Sequence, residues 1–216
     1  MNRGEIINKT KEYARTKLEG ESTGHDWWHT FRVWQTAKYI AKKEGGDLFI
    51  IELAALFHDI ADWKFNKGNN NLALKLTRDW FKKLEVEKKV IKHICDIVEN
   101  ISFKGAGIKL RIKTKEGKIV QDADRLDALG AIGIARVFAT TPLLKRLLYN
   151  PEINMKMKVR DFTKKDSYSS IHHFYDKLLL LKDLMNTKTG KRLANKRHKF
   201  MEKYLEEFFK EREGII

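Results

Sequence analysis

Proline is almost missing from this chain, with two in 216 residues, and glycine is modest at thirteen. So few breakers leave long uninterrupted stretches, which argues against a turn-rich all-β fold and predicts an all-α one. Cysteine is rarer still. The single Cys95 excludes an internal disulfide framework and fits a reducing compartment. Set in an apolar helical stretch, it reads as packing and not as a reactive thiol. No apolar run approaches the ~20 residues needed to span a bilayer, and Met1-Asn2-Arg3-Gly4-Glu5 is too polar for a signal peptide. A soluble cytoplasmic protein with no membrane partner is the expectation. A compact Lys/Arg block interleaved with aromatics is missing as well. The formal net charge of +15 points toward anionic partners. Most of it nevertheless reads as lysines spread over solvated helix faces, and nucleic acid is not the expected partner.

What is present is helical periodicity. Residues 2–20 read as a polar helix with Ile6, Ile7, Tyr13, Ala14 and Leu18 as its stripe, stopped near Gly20 and Gly24. His25 to Glu44 follows, closed by Gly45-Gly46. At about 100° per residue, Val33, Thr36 and Ile40 share a face with His29, while Trp27, Phe31, Trp34 and Ala41 lie opposite. A helix apolar on both sides is sandwiched in the core, which places His29 in the interior. Asp47 can cap a third helix, Leu48 to Ala61, apolar nearly all round and hence central. After a loop around Asn69-Asn70-Asn71 come two amphipathic helices, Leu72 to Leu84 and Val86 to Ile101. Ser102 to Gln121 differs: Gly105, Gly107 and Gly117 bracket alternating apolar and basic residues. The region from about 103 to 120 reads as a short hairpin or irregular lid, able to reach over a phosphate, or equally as a solvated surface loop. Helix resumes at Asp122 and runs to about Ala139, with Asp124, Ala128, Ala131 and Ala135 on one face. Ser169 or Ser170 caps a helix through Met185, and Lys191 to Glu213 is the last. No repeat and no flexible linker divides the chain, so 1–216 reads as a single domain.

The chemistry begins at Leu53-Ala54-Ala55-Leu56-Phe57-His58-Asp59-Ile60-Ala61-Asp62, where an apolar run ends in a histidine and two carboxylates. A buried unpaired carboxylate costs several kcal/mol, so such a cluster pairs internally or binds a metal. With cysteine effectively absent, His, Asp and Glu remain as ligands. His29, His58, Asp59 and Asp124 come from three predicted interior helices. Two imidazoles and two carboxylates would suit one Mn²⁺ or Mg²⁺, or else Fe²⁺, Co²⁺ or Ni²⁺, in octahedral geometry with waters completing the sphere. Spacing alone leaves this one constellation among several.

The same residues carry a resemblance. His29-Thr30-Phe31-Arg32-Val33, the His58-Asp59 doublet after an apolar helix, and Asp124 within Gln121-Asp122-Ala123-Asp124-Arg125-Leu126-Asp127-Ala128 resemble the HD-domain metal-dependent phosphohydrolases. The match spans about 22–140. The helical extension 141–216, with Phe174-Tyr175-Asp176-Lys177-Leu178-Leu179, is similar to a bacterial branch of predicted HD hydrolases and nucleotide pyrophosphohydrolases. The resemblance implies an HD-domain helical bundle, metal ligation by His29, His58, Asp59 and Asp124, and hydrolysis of a phosphoester or phosphoanhydride. It also implies a role for Asp62. Some family members carry Glu there to orient or deprotonate the attacking water, and Asp is one methylene shorter. A small phosphorylated substrate such as a nucleotide is the expected partner. Pyrophosphate release from a nucleoside triphosphate is the leading reaction, with phosphomonoester removal and cyclic-nucleotide cleavage as alternatives. Arg32, Lys104 and Arg125 are candidates to meet phosphate, and His25 to support a ligand or touch substrate.

Other features weigh less. His25-Asp26-Trp27-Trp28-His29 imitates a zinc-protease motif, but Asp shortens the base and no third ligand is evident. His93 reads as a half-buried histidine, and His172-His173 as a polar helix face. The rival from another class is a basic nucleic-acid-binding or signalling module with a vestigial metal site.

Overall fold

The computed structural model describes residues 1–20, 24–60, 70–101, 112–152 and 169–215. Asp62 and Lys104 lie outside the described residues, as does the 103–111 part of the expected hairpin or lid. The chain forms two compact units, Met1–Asp124 and Arg125–Ile216. Helix dominates both, and among the described residues there is no strand, only an isolated bridge between Leu147 and Ser169.

The N-terminal unit starts with α1, Arg3–Leu18, opened by a reciprocal capping box between Asn2 and Glu5. Its buried side is Ile6, Thr10, Ala14 and Leu18, spaced four apart along one stripe. In α2, Trp27–Glu44, the buried residues Trp27, His29, Thr30, Val33, Trp34, Ala37, Ile40 and Ala41 form one broad face that includes His29, while Trp28, Gln35 and Tyr39 face solvent, so the helix is embedded along one side and not sandwiched as the apolar pattern suggested. Asp26 caps α2 by accepting from the His29 backbone N–H at 2.7 Å, which leaves His25 ahead of the helix and not in it. α3, Leu48–Phe57, is capped by Asp47 and buried from Phe49 to Phe57. α1, α2 and α5 (Lys88–Asn100) all pack on α3, and α4 (Asn70–Lys83) packs on α5. Each large apolar side chain sealed this way contributes roughly 1.5–3 kcal/mol. Tyr13, Phe57 and Trp80 stack in sequence, and Trp80 Nε1 donates to Thr10 Oγ1, which ties α1 to α3 and α4.

α3 is shorter than its apolar pattern suggested. It stops at Phe57, and His58 to Ile60 form a turn in which the Ile60 N–H reaches back only to the Phe57 carbonyl. The His58 side chain has taken the Ala55 carbonyl, an acceptor that another helical turn would have used.

Lys115–Asp127 forms α6, so the C-terminal part of the expected lid is helix. Alternation of apolar and basic residues at 108–113 suggested extended chain, but from Lys115 onward buried Ile119, Val120, Ala123 and Leu126 recur at helical spacing. Two hydrogen bonds pin α6 within the N-terminal unit. Glu116 Oε1 accepts the Asp47 backbone N–H at 3.0 Å, and Gln121 Nε2 donates to the Ile101 carbonyl at 3.2 Å. A further tie joins α2 to α3: Trp34 Nε1 donates to the buried Glu52 carboxyl at 2.7 Å.

The C-terminal unit corrects the expected single helix 122–139. The chain breaks after Asp127, Leu129 is extended, and α7 runs Gly130–Thr140. Gly130 takes φ +74 with Arg197 pressed against it, a conformation that favours glycine. Asp124 therefore does not share a helix face with Ala131 and Ala135. Ser169 caps α8, Ser170–Asp176, which gives way to a 3-10 helix, Leu178–Leu184, instead of continuing to Met185. α9, Lys188–Arg212, starts earlier than expected because Thr187 caps it. α9 packs on α7 and on the 3-10 helix through Ala194, Met201 and Leu205. His172 departs from the polar-face reading: it is fully buried, with Nε2 3.2 Å from Asp176 Oδ1. No helix of the described residues is long and apolar enough to cross a membrane.

The corner between α6 and α7 gives a signed expectation. A Cβ at Gly133 would stand 2.3 Å from the Ala128 carbonyl oxygen. Gly to Ala in a helix ordinarily stabilises by up to ~1 kcal/mol, but overpacking against backbone costs roughly 1–3 kcal/mol. Gly133→Ala should lower unfolding stability, read from the urea midpoint.

Candidate metal centre

Four side chains meet where α2, the end of α3 and the C-terminal half of α6 come together. His29 Nε2 stands 3.1 Å from His58 Nε2, 3.3 Å from Asp59 Oδ2 and 3.6 Å from Asp124 Oδ1. His58 Nε2 is 3.4 Å from Asp59 Oδ2 and 3.9 Å from Asp124 Oδ1. Ligands about 2.1 Å from one octahedral ion are about 3.0 Å apart when cis and about 4.2 Å when trans. All five separations fall in that window. These are the four residues that the sequence resemblance singled out; His29, His58 and Asp124 are mutually within ligand reach of a common ion, and His25 joins His29 and Asp59 in a second, overlapping cluster.

Local structure explains the convergence. The Asp26 cap fixes the first turn of α2 through the His29 N–H itself. The early end of α3 turns His58 and Asp59 out of the apolar stack. The Glu116 and Gln121 anchors set α6 so that Asp124, eight residues past Glu116, arrives about 12 Å further along the helix. Both imidazoles are essentially buried, Asp59 is 13% exposed and Asp124 27%. The cluster is closed on the imidazole side and more open at the second carboxylate.

The donor set fits a divalent ion. His58 Nδ1 lies 2.8 Å from the Ala55 carbonyl, which can only accept, so Nδ1 carries a proton and Nε2 is the nitrogen that would offer a lone pair to an ion that displaces its own proton. Electrostatics agree. Burial opposes charge on His58, yet Asp59 and Asp124 together with the Ala55 carbonyl outweigh it and raise the imidazole to about 9. Burial likewise opposes charge on Asp59, and His58 and His25 outweigh it, holding the carboxyl well below its usual range. The centre of this cluster strongly favours positive charge. Carboxylate and imidazole without thiolate suit a hard-to-borderline ion.

The other expected residues are placed as follows. His25 Nδ1 is 2.6 Å from Asp59 Oδ2, a contact that residue spacing did not reveal. Arg32 is half-buried on α2. Arg125 is buried, with Nη1 donating to the Leu184 carbonyl inside the C-terminal unit. His93 belongs elsewhere, its Nε2 3.8 Å from Glu116 Oε2. Asp62 and Lys104 are outside the described residues.

Comparison with known proteins finds relatives along most of the chain. The HD domain family model matches residues 27–129. An uncharacterized Bacillus subtilis protein, YpgQ, is 38% identical over 206 residues, covering 95% of this chain and 93% of its own length. Among solved structures, an HD-superfamily hydrolase from Bacillus thuringiensis has 43% identity and a TM-score of 0.76, covering 97% of this chain and 98% of its own. The crystal structure of B. subtilis YpgQ in complex with ADP has 35% identity and a TM-score of 0.76, covering 97% and 100%.

The cluster sets an expectation for metal content. Losing a partner that only orients a ligand costs about 10–100-fold in metal affinity, so losing a ligand should cost more than about 100-fold. Elemental analysis after loading and desalting should find a divalent metal on the wild type and little on His58→Ala.

Proposed function

Because this chain belongs to the HD-domain family, we propose that it is a divalent-metal-dependent phosphohydrolase acting on nucleotides or small phosphorylated metabolites. The leading reaction is cleavage of a nucleoside triphosphate to a monophosphate and pyrophosphate. One observation carries the reading: two imidazoles and two carboxylates from α2, the turn after α3 and α6 gather at ligand spacing in a mostly buried cluster of side chains. The ADP complex of a relative supports a nucleotide as the ligand class. The family match runs from 27 to 129 and so crosses from one compact unit into the other, which supports treating 1–216 as one functional domain.

In this proposal His29, His58, Asp59 and Asp124 hold one ion, Mn²⁺ or Mg²⁺ before Fe²⁺, Co²⁺ or Ni²⁺. A divalent ion held there lowers the pKa of water and polarises a phosphoryl oxygen. The protein's part is positioning and proton handling. Asp62, three residues past Asp59 in the chain, is the proposed base that accepts the proton of the attacking water. The new P–O bond forms as the phosphoanhydride P–O bond breaks, and the departing pyrophosphate carries away the released charge. Arg32 and Lys104 are the proposed cations at the phosphates, since phosphoryl transfer depends mainly on alignment and charge neutralisation. Arg125, engaged with the Leu184 carbonyl, is assigned a structural role.

Product identification on a nucleotide panel tests the reaction. Metal-loaded protein should release pyrophosphate from a triphosphate, and chelation should abolish turnover. A nucleic-acid-binding module would instead show affinity falling steeply with salt and no chelator-sensitive hydrolysis. For the base, Asp62→Asn should keep its metal and lose roughly 10²–10⁴-fold in kcat. Turnover near the wild-type rate would remove Asp62 from the mechanism.

A further inference from the structure

The contact between His25 and Asp59 narrows the role of a residue that spacing left open. His25 follows Gly24, whose φ of +88 turns the chain just before the Asp26 cap. The turn carries the imidazole over the start of α2, where its ring meets that of His29 edge-on at 5.4 Å and Nδ1 comes 2.6 Å from Asp59 Oδ2. That separation is shorter than the about 3.0 Å between cis ligands of one ion, so His25 Nδ1 and Asp59 Oδ2 do not both ligate the same metal. It is the length of a strong hydrogen bond to a charged group. A ligating carboxylate is deprotonated and only accepts, so Nδ1 is the donor and has no lone pair for a metal. Capping α2 is not the task of His25 either, because Asp26 already does it.

We propose that His25 is a positioning residue, whose Nδ1–H fixes the Asp59 carboxylate so that Oδ2 keeps its other lone pair toward His29 and His58. The inference rests on the metal-site reading above and adds a fifth residue that acts through a ligand instead of being one. Without that hydrogen bond Asp59 can rotate about its side-chain torsions, and ion affinity falls because one ligand must be ordered on binding.

The test compares two substitutions by Mn²⁺ titration of metal-free protein. In His25→Asn the amide Nδ2 lies about where the imidazole Nδ1 does and retains a donor, whereas His25→Leu has none. Mn²⁺ affinity should fall about 10–100-fold in His25→Leu and return to within about threefold of wild type in His25→Asn. Thermal unfolding of both variants in chelator keeps a folding defect separate from a binding defect. Wild-type affinity in His25→Leu, or His25→Asn as weak as His25→Leu, overturns the positioning role. So does a raised KM for nucleotide with unchanged Mn²⁺ affinity, which would make His25 a substrate contact. Failure of the wild type itself to bind Mn²⁺ overturns the metal-site reading together with this one. Intact wild-type binding confines any failure to His25.

Discussion

A carboxylate at the C-terminal end of a buried apolar helix is the constraint on which the N-terminal unit depends. Asp59 sits two residues past the last residue of α3. Both surroundings work against its charge: the core withholds water, and the helix end presents carbonyls and the negative pole of the dipole. Three imidazoles offset this. His58, at the helix end, is favoured there in charged form by the same dipole that disfavours Asp59. His25 and His29 come from the chain around the start of α2, at 2.6 and 3.3 Å. The doublet therefore cannot be neutralised by α3 alone. Its stability requires α2 to be held at one register against α3.

Several features of the unit hold that register. The Trp34–Glu52 hydrogen bond is a polar tie inside an otherwise apolar α2–α3 interface. Its members sit more than a turn from His29 along α2 and from His58 beyond α3, so sliding one helix along the other would break the tie and separate His29 from His58 together. A hydrogen bond to a buried carboxyl contributes about 1.5–3 kcal/mol where made and costs at least as much when left unmade. The Asp26 cap restrains the same turn of α2 from the backbone side, through the N–H of the ligand residue. α6 is anchored twice, at Asp47 near the start of α3 and at Ile101 after α5, so its Asp124 arrives without being able to drift. In this sense the core exists to aim four side chains.

Much of this was legible because the relevant signals are local. The period of α1, α4 and α5, and the capping residues Asp47 and Ser169, depend on residues within a turn or two of each other. The apolar residues around His29 in α2 and the nearly all-apolar α3 placed His29 and His58 inside before any contact was known, although α2 is buried on one broad face and not on two. What escaped depended on partners distant in the chain or on single backbone angles. Nothing local at Leu129-Gly130 says that the chain turns a corner there. At the corner Gly130 takes φ +74, and the Ala128 carbonyl lies so close to residue 133 that only glycine fits there. α6 began earlier than expected because its first turn is held by Asp47, 69 residues before Glu116. His25 was noticed, but its partner Asp59 lies 34 residues on, and no short-range pattern joins them.

Charge explains how such a site can coexist with a strongly basic chain. Asp59 and Asp124 contribute two negative charges, which one divalent ion cancels. The filled centre is then close to neutral and exerts little long-range attraction on a polyphosphate. Under the proposed function, capture of an anionic substrate by charge would come from the surroundings, and the excess of Lys and Arg that yields +15 is able to supply it. The same excess need not make the protein bind nucleic acid, because a diffuse positive field attracts any anion and selects none. Selection falls to the walls of the site, where a pocket can hydrogen-bond one phosphate arrangement and leave another unpaired. The architecture thus separates three tasks. Under the proposed function, the buried carboxylates and imidazoles would hold the ion, the basic surface would gather anions, and choice among them would fall to residues near Asp124, the more exposed of the two carboxylates.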